Sequence, residues 1–228
     1  MKNPSSSADN PRMRYSRCLL LWCAVWFALL PLSAREHKEG FTCCDVNDAL
    51  MERIQGRSYP EGCTFPIEEL VYLTVLHYDG EGLVQQGELM CNRAIADDLL
   101  DIFEALYDAH YPIESIRLID DFDGSDARSM AANNTSCFCY RTVAATGKLS
   151  AHSRGMAVDI NPLYNPYVRT ANGKQHVEPA EGAAYVDRTR TFPYKIERGD
   201  LCHRLFIAHG FRWGGGWKSC KDYQHFEK

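Results

Sequence analysis

Two short stretches carry the residue types best suited to chemistry. Ser150-Ala-His152-Ser-Arg-Gly155-Met-Ala-Val-Asp159 offers an imidazole and a carboxylate, and Asp222-Tyr-Gln-His225-Phe offers a second of each near the end of the chain. Open catalytic zinc sites keep three protein ligands, commonly two His and a carboxylate, and leave one position for water or substrate. His152, Asp159 and His225 supply that set for one Zn2+ per chain. Asp222, three residues before His225, can reach an attacking water without ligating the metal, take its proton and pass it to a leaving amine. Arg141 is the candidate cation to steady a developing oxyanion, and Arg128 competes for that assignment. Taken singly, each residue has an ordinary reading. A lone His is more often packed or on the surface, as His37, His77, His110, His176 and His203 are read here, and Arg141 alone would be a surface ion pair. His209 falls on a last helical turn, where a cation favours the dipole.

The elements that must position these groups follow from periodicity. Gly155 permits a tight turn, after which Met156, Val158 and Ile160 alternate with Ala157, Asp159 and Asn161, so the apolar trio faces a core and Asp159 points the other way, toward His152. Leu70–His77 is β-branched and aromatic and reads as a buried strand ending at a turn over Tyr78–Gly80. Ile95, Leu99, Ile102, Phe103 and Leu106 recur at three- and four-residue steps, which predicts a helix from about Asn92 to His110, ended by Pro112. Ile113–Ile119 reads as a second strand. Asp120–Ala127 reads as a solvated acidic loop, because it lacks the Glu that closes a calcium-binding loop. Residues 165–198, rich in Asn, Gly, Pro and Arg, read as a long excursion over one edge. Gly199–His209 is an amphipathic helix with Asp200 as N-cap and Gly210 as its stop. Trp213–Trp217 reads as a flexible turn, and Lys221–Glu227 as a final strand.

Composition bounds the rest. The chain has 228 residues, a formal charge of -5 and 45% hydrophobic residues, enough for one core. An acidic balance with no basic footprint argues against a nucleic-acid partner. Arg12, Arg14 and Arg17 precede a short apolar run over Cys18–Leu32 and then Ser33-Ala34, the layout of an export signal over residues 1–34 with cleavage after a small residue. The run is too short to span a bilayer comfortably, so no stable membrane anchor is expected once it is cleaved. Localisation is then secreted, periplasmic or at the cell envelope. Residues 35–66 form a Cys-containing extension with one helical turn near Val46–Ile54, and residues 67–228 the main domain. Eight Cys remain after cleavage (Cys43, Cys44, Cys63, Cys91, Cys137, Cys139, Cys202 and Cys220), an even number that implies disulfides in an exported chain. A Cys-rich zinc site competes weakly, since the paired-Cys spacing of a zinc ribbon is missing.

Four segments in order carry a resemblance: Asn133-Asn-Thr-Ser-Cys-Phe-Cys-Tyr-Arg141; Ser150-x-His152-x-x-Gly155-x-Ala157-x-Asp159; Ile160-Asn-Pro-Leu-Tyr-Asn-Pro-Tyr167; and Trp213-Gly-Gly-Gly-Trp217 through Asp222-Tyr-Gln-His225-Phe226. From about Ile67 to the C-terminus the chain resembles the M15 metallopeptidases, the family of D-alanyl-D-alanine carboxypeptidases and L-alanyl-D-glutamate endopeptidases. The resemblance implies zinc on His152, Asp159 and His225, a catalytic acid/base at Asp222 and a substrate-binding role for Arg141. It also implies a small α+β domain whose mostly antiparallel sheet carries the metal. Two features depart from the pattern. Many members have Glu at the position of Asp222. Cys137 and Cys139 stand in a segment that more often reads Thr-Ser-x-Phe-Asn-Tyr-Arg, and a disulfide there would hold the pocket wall. A Cys202–Cys220 pair would pin the approach to Asp222 and His225.

The expected function is hydrolysis of a peptide bond in peptidoglycan stem peptides by a secreted zinc peptidase. Two other classes stand beside it: a non-catalytic, zinc-stabilised binding module, and a non-haem iron oxygenase built on the same His/His/carboxylate triad. Asp222 discriminates against the first, because a structural site needs no free carboxylate beside an open position. Export discriminates against the second.

Overall fold

The computed structural model describes residues 36–143 and 147–228. The stretch over residues 1–34, read from the sequence as an export signal, lies outside them. Among the described residues no helix is long and apolar enough to cross a membrane.

The chain opens with strand β1 (Thr42–Asp45) and helix α1 (Asp48–Ile54), whose N-cap Asn47 accepts from Leu50 N at 3.0 Å. Strands β2 (Leu70–Tyr78) and β3 (Val84–Asn92) then form a hairpin, and β1 pairs antiparallel with the outer edge of β2. Helix α2 (Ala96–Asp108) packs on this sheet with the predicted face inward: Leu99, Ile102, Phe103 and Leu106 are all at most 1% exposed. His110 adopts φ +52 just before Pro112, and the chain leaves the helix there. A short parallel pair follows, β4 (Ser115–Ile116) with β5 (Asn134–Thr135), separated by helix α3 (Asp126–Ala131).

The second half supplies β6 (Ala157–Asp159), the hairpin β7 (Tyr167–Ala171) and β8 (Lys174–Glu178), helix α4 (Leu201–Ala208), and strands β9 (Arg212–Trp213), β10 (Lys221–Asp222) and β11 (His225–Glu227). Two three-stranded antiparallel sheets result, ordered β6-β11-β9 and β10-β7-β8. The domain is therefore α+β with mostly antiparallel sheets. One hydrophobic core runs from the β2–β3/α2 half into the second half, where Val158, Ile160, Phe206, Phe211 and Phe226 join Leu73, Leu99 and Phe103. Phe226 is fully buried and stacks on Phe206 at 4.2 Å between ring centroids. Burying such a ring is worth about 2–3 kcal/mol.

Several sequence expectations change. The strand foreseen over Ile113–Ile119 is paired only at Ser115–Ile116 and runs into a 3-10 turn over Ile119–Phe122. The acidic loop starts inside that 3-10 turn and runs into α3, capped by the Ser125 hydroxyl. The excursion over 165–198 begins as the regular β7–β8 hairpin, because Asn172 (φ +51) and Gly173 (φ +71) make the two-residue turn that suits strand twist. The Gly214–Gly216 segment is a 3-10 turn. The final strand is split in two, with β10 and β11 in different sheets. All eight described cysteines are unbonded: Cys202 is buried near Tyr111 and Cys220 lies near Tyr167, so the anticipated Cys202–Cys220 pair is not formed, nor is a Cys137–Cys139 bridge.

Candidate metal centre

Strand alternation builds the centre. Val158 and Ile160 go into the core, so Asp159 between them must face the opposite side. Phe226 goes into the same core, so His225 beside it faces that side too, and the β6–β11 ladder sets His225 directly across from Asp159. His152 comes from the 3-10 turn preceding β6, which Gly155 (φ +64) closes. Gly155 has a second reason to be Gly: a Cβ there would meet Asn92 N at 2.5 Å.

The three side chains converge. His152 Nε2 lies 3.2 Å from Asp159 Oδ2 and 3.2 Å from His225 Nδ1, and His225 Nδ1 lies 3.0 Å from Asp159 Oδ1. All three residues are buried, and their candidate ligand atoms lie within 4.8 Å of one another. Among the described residues this is the only group of three or more His, Cys, Asp or Glu so arranged. The donor chemistry fits one divalent ion. His152 Nδ1 contacts the Cys137 carbonyl at 2.6 Å, a partner that can only accept. Nδ1 therefore keeps its proton, and Nε2 is the nitrogen free to offer a lone pair inward to a metal. His225 Nε2 lies 3.5 Å from Glu227 Oε2, and Glu227 accepts from Arg212 at 2.9 Å. Each imidazole thus turns one nitrogen to the protein and the other to the shared space.

Charges in the centre shift one another. Burial would raise the Asp159 carboxyl, but the imidazoles of His152 and His225 outweigh it and hold it well below the usual carboxylate range. Burial would lower His225, and the Asp159 and Glu227 carboxylates reverse this to about 10. Asp222 moves the other way. Burial, reinforced by Asp159 and Asp126 against the pull of His225 and Arg141, raises it to about 7. The residue as a whole keeps some exposure, yet its Oδ1 is covered and has no hydrogen-bond partner. A carboxyl pushed up by burial beside three candidate ligand side chains is suited to proton transfer.

A cleft of about 470 Å³ opens over the centre and is lined by all five residues singled out in the sequence, His152, Asp159, His225, Asp222 and Arg141. Arg141 pairs with Asp126 at 2.9 Å, and its Nε is buried without a hydrogen-bond partner. Its backbone is fixed by Ser153, whose hydroxyl accepts from Arg141 N at 2.8 Å and donates to Arg141 O at 2.5 Å. Arg128, the competing candidate, pairs with Asp123 on the surface and does not line the cleft.

Four further groups were not singled out as site residues. Asp126 comes from the loop read as solvated acid, and no local pattern marks it. Glu227 follows the last ligand by two residues, the strand spacing that keeps both on one face. Trp217, within the quoted motif, sets its ring 5.3 Å from His225. His176, read as a surface residue, lines the cleft from the β7–β8 hairpin, which the Asn172-Gly173 turn could have revealed.

Residues 144–228 match a peptidase M15 family model described as D-alanyl-D-alanine carboxypeptidase. That span contains His152, Asp159, Asp222 and His225. No curated protein and no solved structure matches the chain.

Proposed function

From the match of residues 144–228 to an M15 peptidase family model, we propose that this chain is a zinc-dependent peptidase that hydrolyses a peptide bond in peptidoglycan stem peptides. The convergence of His152, Asp159 and His225 on one point, with Asp222 beside them, is the observation that carries the reading. A divalent ion held there supplies Lewis acidity for water and for the scissile carbonyl.

The chain's own groups do the rest. The Asp222 carboxylate takes a proton from the attacking water and returns it to the leaving amine, which requires a group poised near neutral pH. Arg141, held by Asp126 and Ser153, presents a fixed cation to the substrate carbonyl or carboxylate in the cleft. Trp217 gives that cleft an apolar wall. The basic-then-apolar pattern over Arg12–Ala34 supports export, and with it a reaction outside the cytoplasm.

Incubation of the zinc-loaded protein with defined muropeptides, followed by mass identification of products, tests this reading. Release of D-Ala, or cleavage between L-Ala and D-Glu, is expected, with loss on chelation and recovery on adding zinc. Stoichiometric zinc with no product from any stem peptide would establish a binding module instead.

A further inference from the structure

The β10-β7-β8 sheet turns one face to the cleft. Asp222 stands opposite Tyr167, and Tyr167 stands opposite Glu178, so these three form one cross-strand row. Two residues along, Arg169 stands opposite His176 and forms a second row on the same face. All five side chains line the cleft, while Val168 between the rows is buried on the other side. The acid/base carboxylate is therefore built into the same surface as the hairpin that overhangs it.

The charges of this face are unequal in their partners. His176 and Glu178 pair at 2.7 Å, and Arg141 across the cleft is paired with Asp126. Arg169 is exposed and makes no ion pair or side-chain hydrogen bond among the described residues. With strands about 4.8 Å apart and residues about 3.4 Å apart along a strand, the Arg169 backbone lies roughly 8 Å from that of Asp222. An extended peptide advances about 3.3–3.6 Å per residue. A guanidinium at that position therefore meets a substrate group one or two residues from the bond at which Asp222 works.

We propose that this hairpin face is the recognition wall for the substrate, and that Arg169 binds a carboxylate carried by the peptide one or two residues from the scissile bond. The inference rests on the peptidase reading above and names what its substrate must carry. In a stem peptide that carboxylate has two sources, the free α-carboxylate of D-Glu and the terminal carboxylate of D-Ala. Planar guanidinium matches either in a two-pronged hydrogen bond, which a lysine cannot copy.

The test is a comparison of kcat/KM for three peptides on the zinc-loaded wild-type protein, Arg169→Gln and Arg169→Lys. The peptides are the parent stem peptide, its D-Glu α-amide and its C-terminal amide. One amide is expected to lower the wild-type value tenfold or more, chiefly through KM, and to identify the source. Arg169→Gln should lose that discrimination, Arg169→Lys should regain only part of it, and zinc content and Tm should be unchanged because Arg169 is exposed. Equal wild-type values for all three peptides, or discrimination surviving in Arg169→Gln, would overturn this inference and leave the peptidase reading standing. No hydrolysis of any peptide by the wild-type protein would remove both.

Discussion

His225 stands directly across the β6–β11 ladder from Asp159, with Nδ1 and Oδ1 3.0 Å apart. The carboxylate that would share a metal with this imidazole favours a proton on it in the metal-free protein. Zinc must displace that proton, so metal uptake and protonation compete. Calorimetry in buffers of different ionisation enthalpy should show about one proton released per zinc near pH 7, with affinity falling as pH falls. His225→Ala should weaken zinc binding by at least about a hundredfold. The metal-free protein has a matching signature. A His raised from 6.5 to about 10 contributes stability that is complete below pH 6.5 and is lost as pH rises toward 10, so the apo Tm should decline across that window.

Asp222 should separate activity from stability. Asp222→Asn removes the proton acceptor and should lower kcat by about 10²–10⁴ with little change in zinc content. Its folded-state pKa is raised from 3.8 to about 7, so the protonated form is favoured by folding, and stability is lost as pH rises through that interval. Asn removes the buried charge. The metal-free variant should therefore be more stable than wild type at pH 7.5, on the order of 1–3 kcal/mol by denaturant titration. In the wild-type enzyme kcat/KM should fall on the acid side of about pH 7, and a bound dication moves that limb lower. A limb unchanged in Asp222→Asn would assign the titration to another group.

Arg141 and Asp126 should act as a unit. Arg141→Ala removes the cation and should cost about 10²–10³ in kcat/KM. Asp126→Asn keeps the cation but loosens its 2.9 Å tether, and a smaller loss, about tenfold, is expected. The double variant should be no worse than Arg141→Ala alone, and additive losses in steady-state kinetics would show that the two residues work separately.

Gly214 sets the distance between the two C-terminal site residues. A Cβ at this position would meet Asp222 O at 2.7 Å, Asp222 Cβ at 2.8 Å and His225 Cβ at 3.3 Å. Two of these contacts are within the range that forces neighbours to move. Gly214→Ala should cost about 1–3 kcal/mol of stability. It should also lower kcat by tenfold or more through displacement of Asp222, though no chemical group is lost. Thermal denaturation and kinetics on one preparation check both.

Much of the candidate site was legible because strand alternation is local. Val158 and Ile160 bracket Asp159, and apolar burial on one face dictates where the carboxylate points. The α2 and α4 helices were equally legible, since Leu99, Phe103 and Leu106 recur at helical spacing and Asp200 and Gly210 are capping residue types. Short elements were not. The two-residue pairing at Ser115–Ile116 leaves no periodicity to detect, and β3, with Gln85, Gln86 and Gly87 in its first half, shows little apolar alternation there. Cysteine parity led toward disulfides, but an even count says nothing about whether two thiols meet.

Local sequence was enough to name the chemistry on offer: two imidazoles, a candidate ligand carboxylate, a spare carboxylate and an arginine, in motifs that resemble one peptidase family. That they share a cleft emerges from long-range folding, because the residues between His152 and His225 must first fold into two separate sheets. The same folding also decided that Lys221–Glu227 is not one strand. The break after β10 puts Asp222 beside Tyr167 and His225 beside Asp159, and that separation arises from pairing with distant partners, which no local pattern encodes.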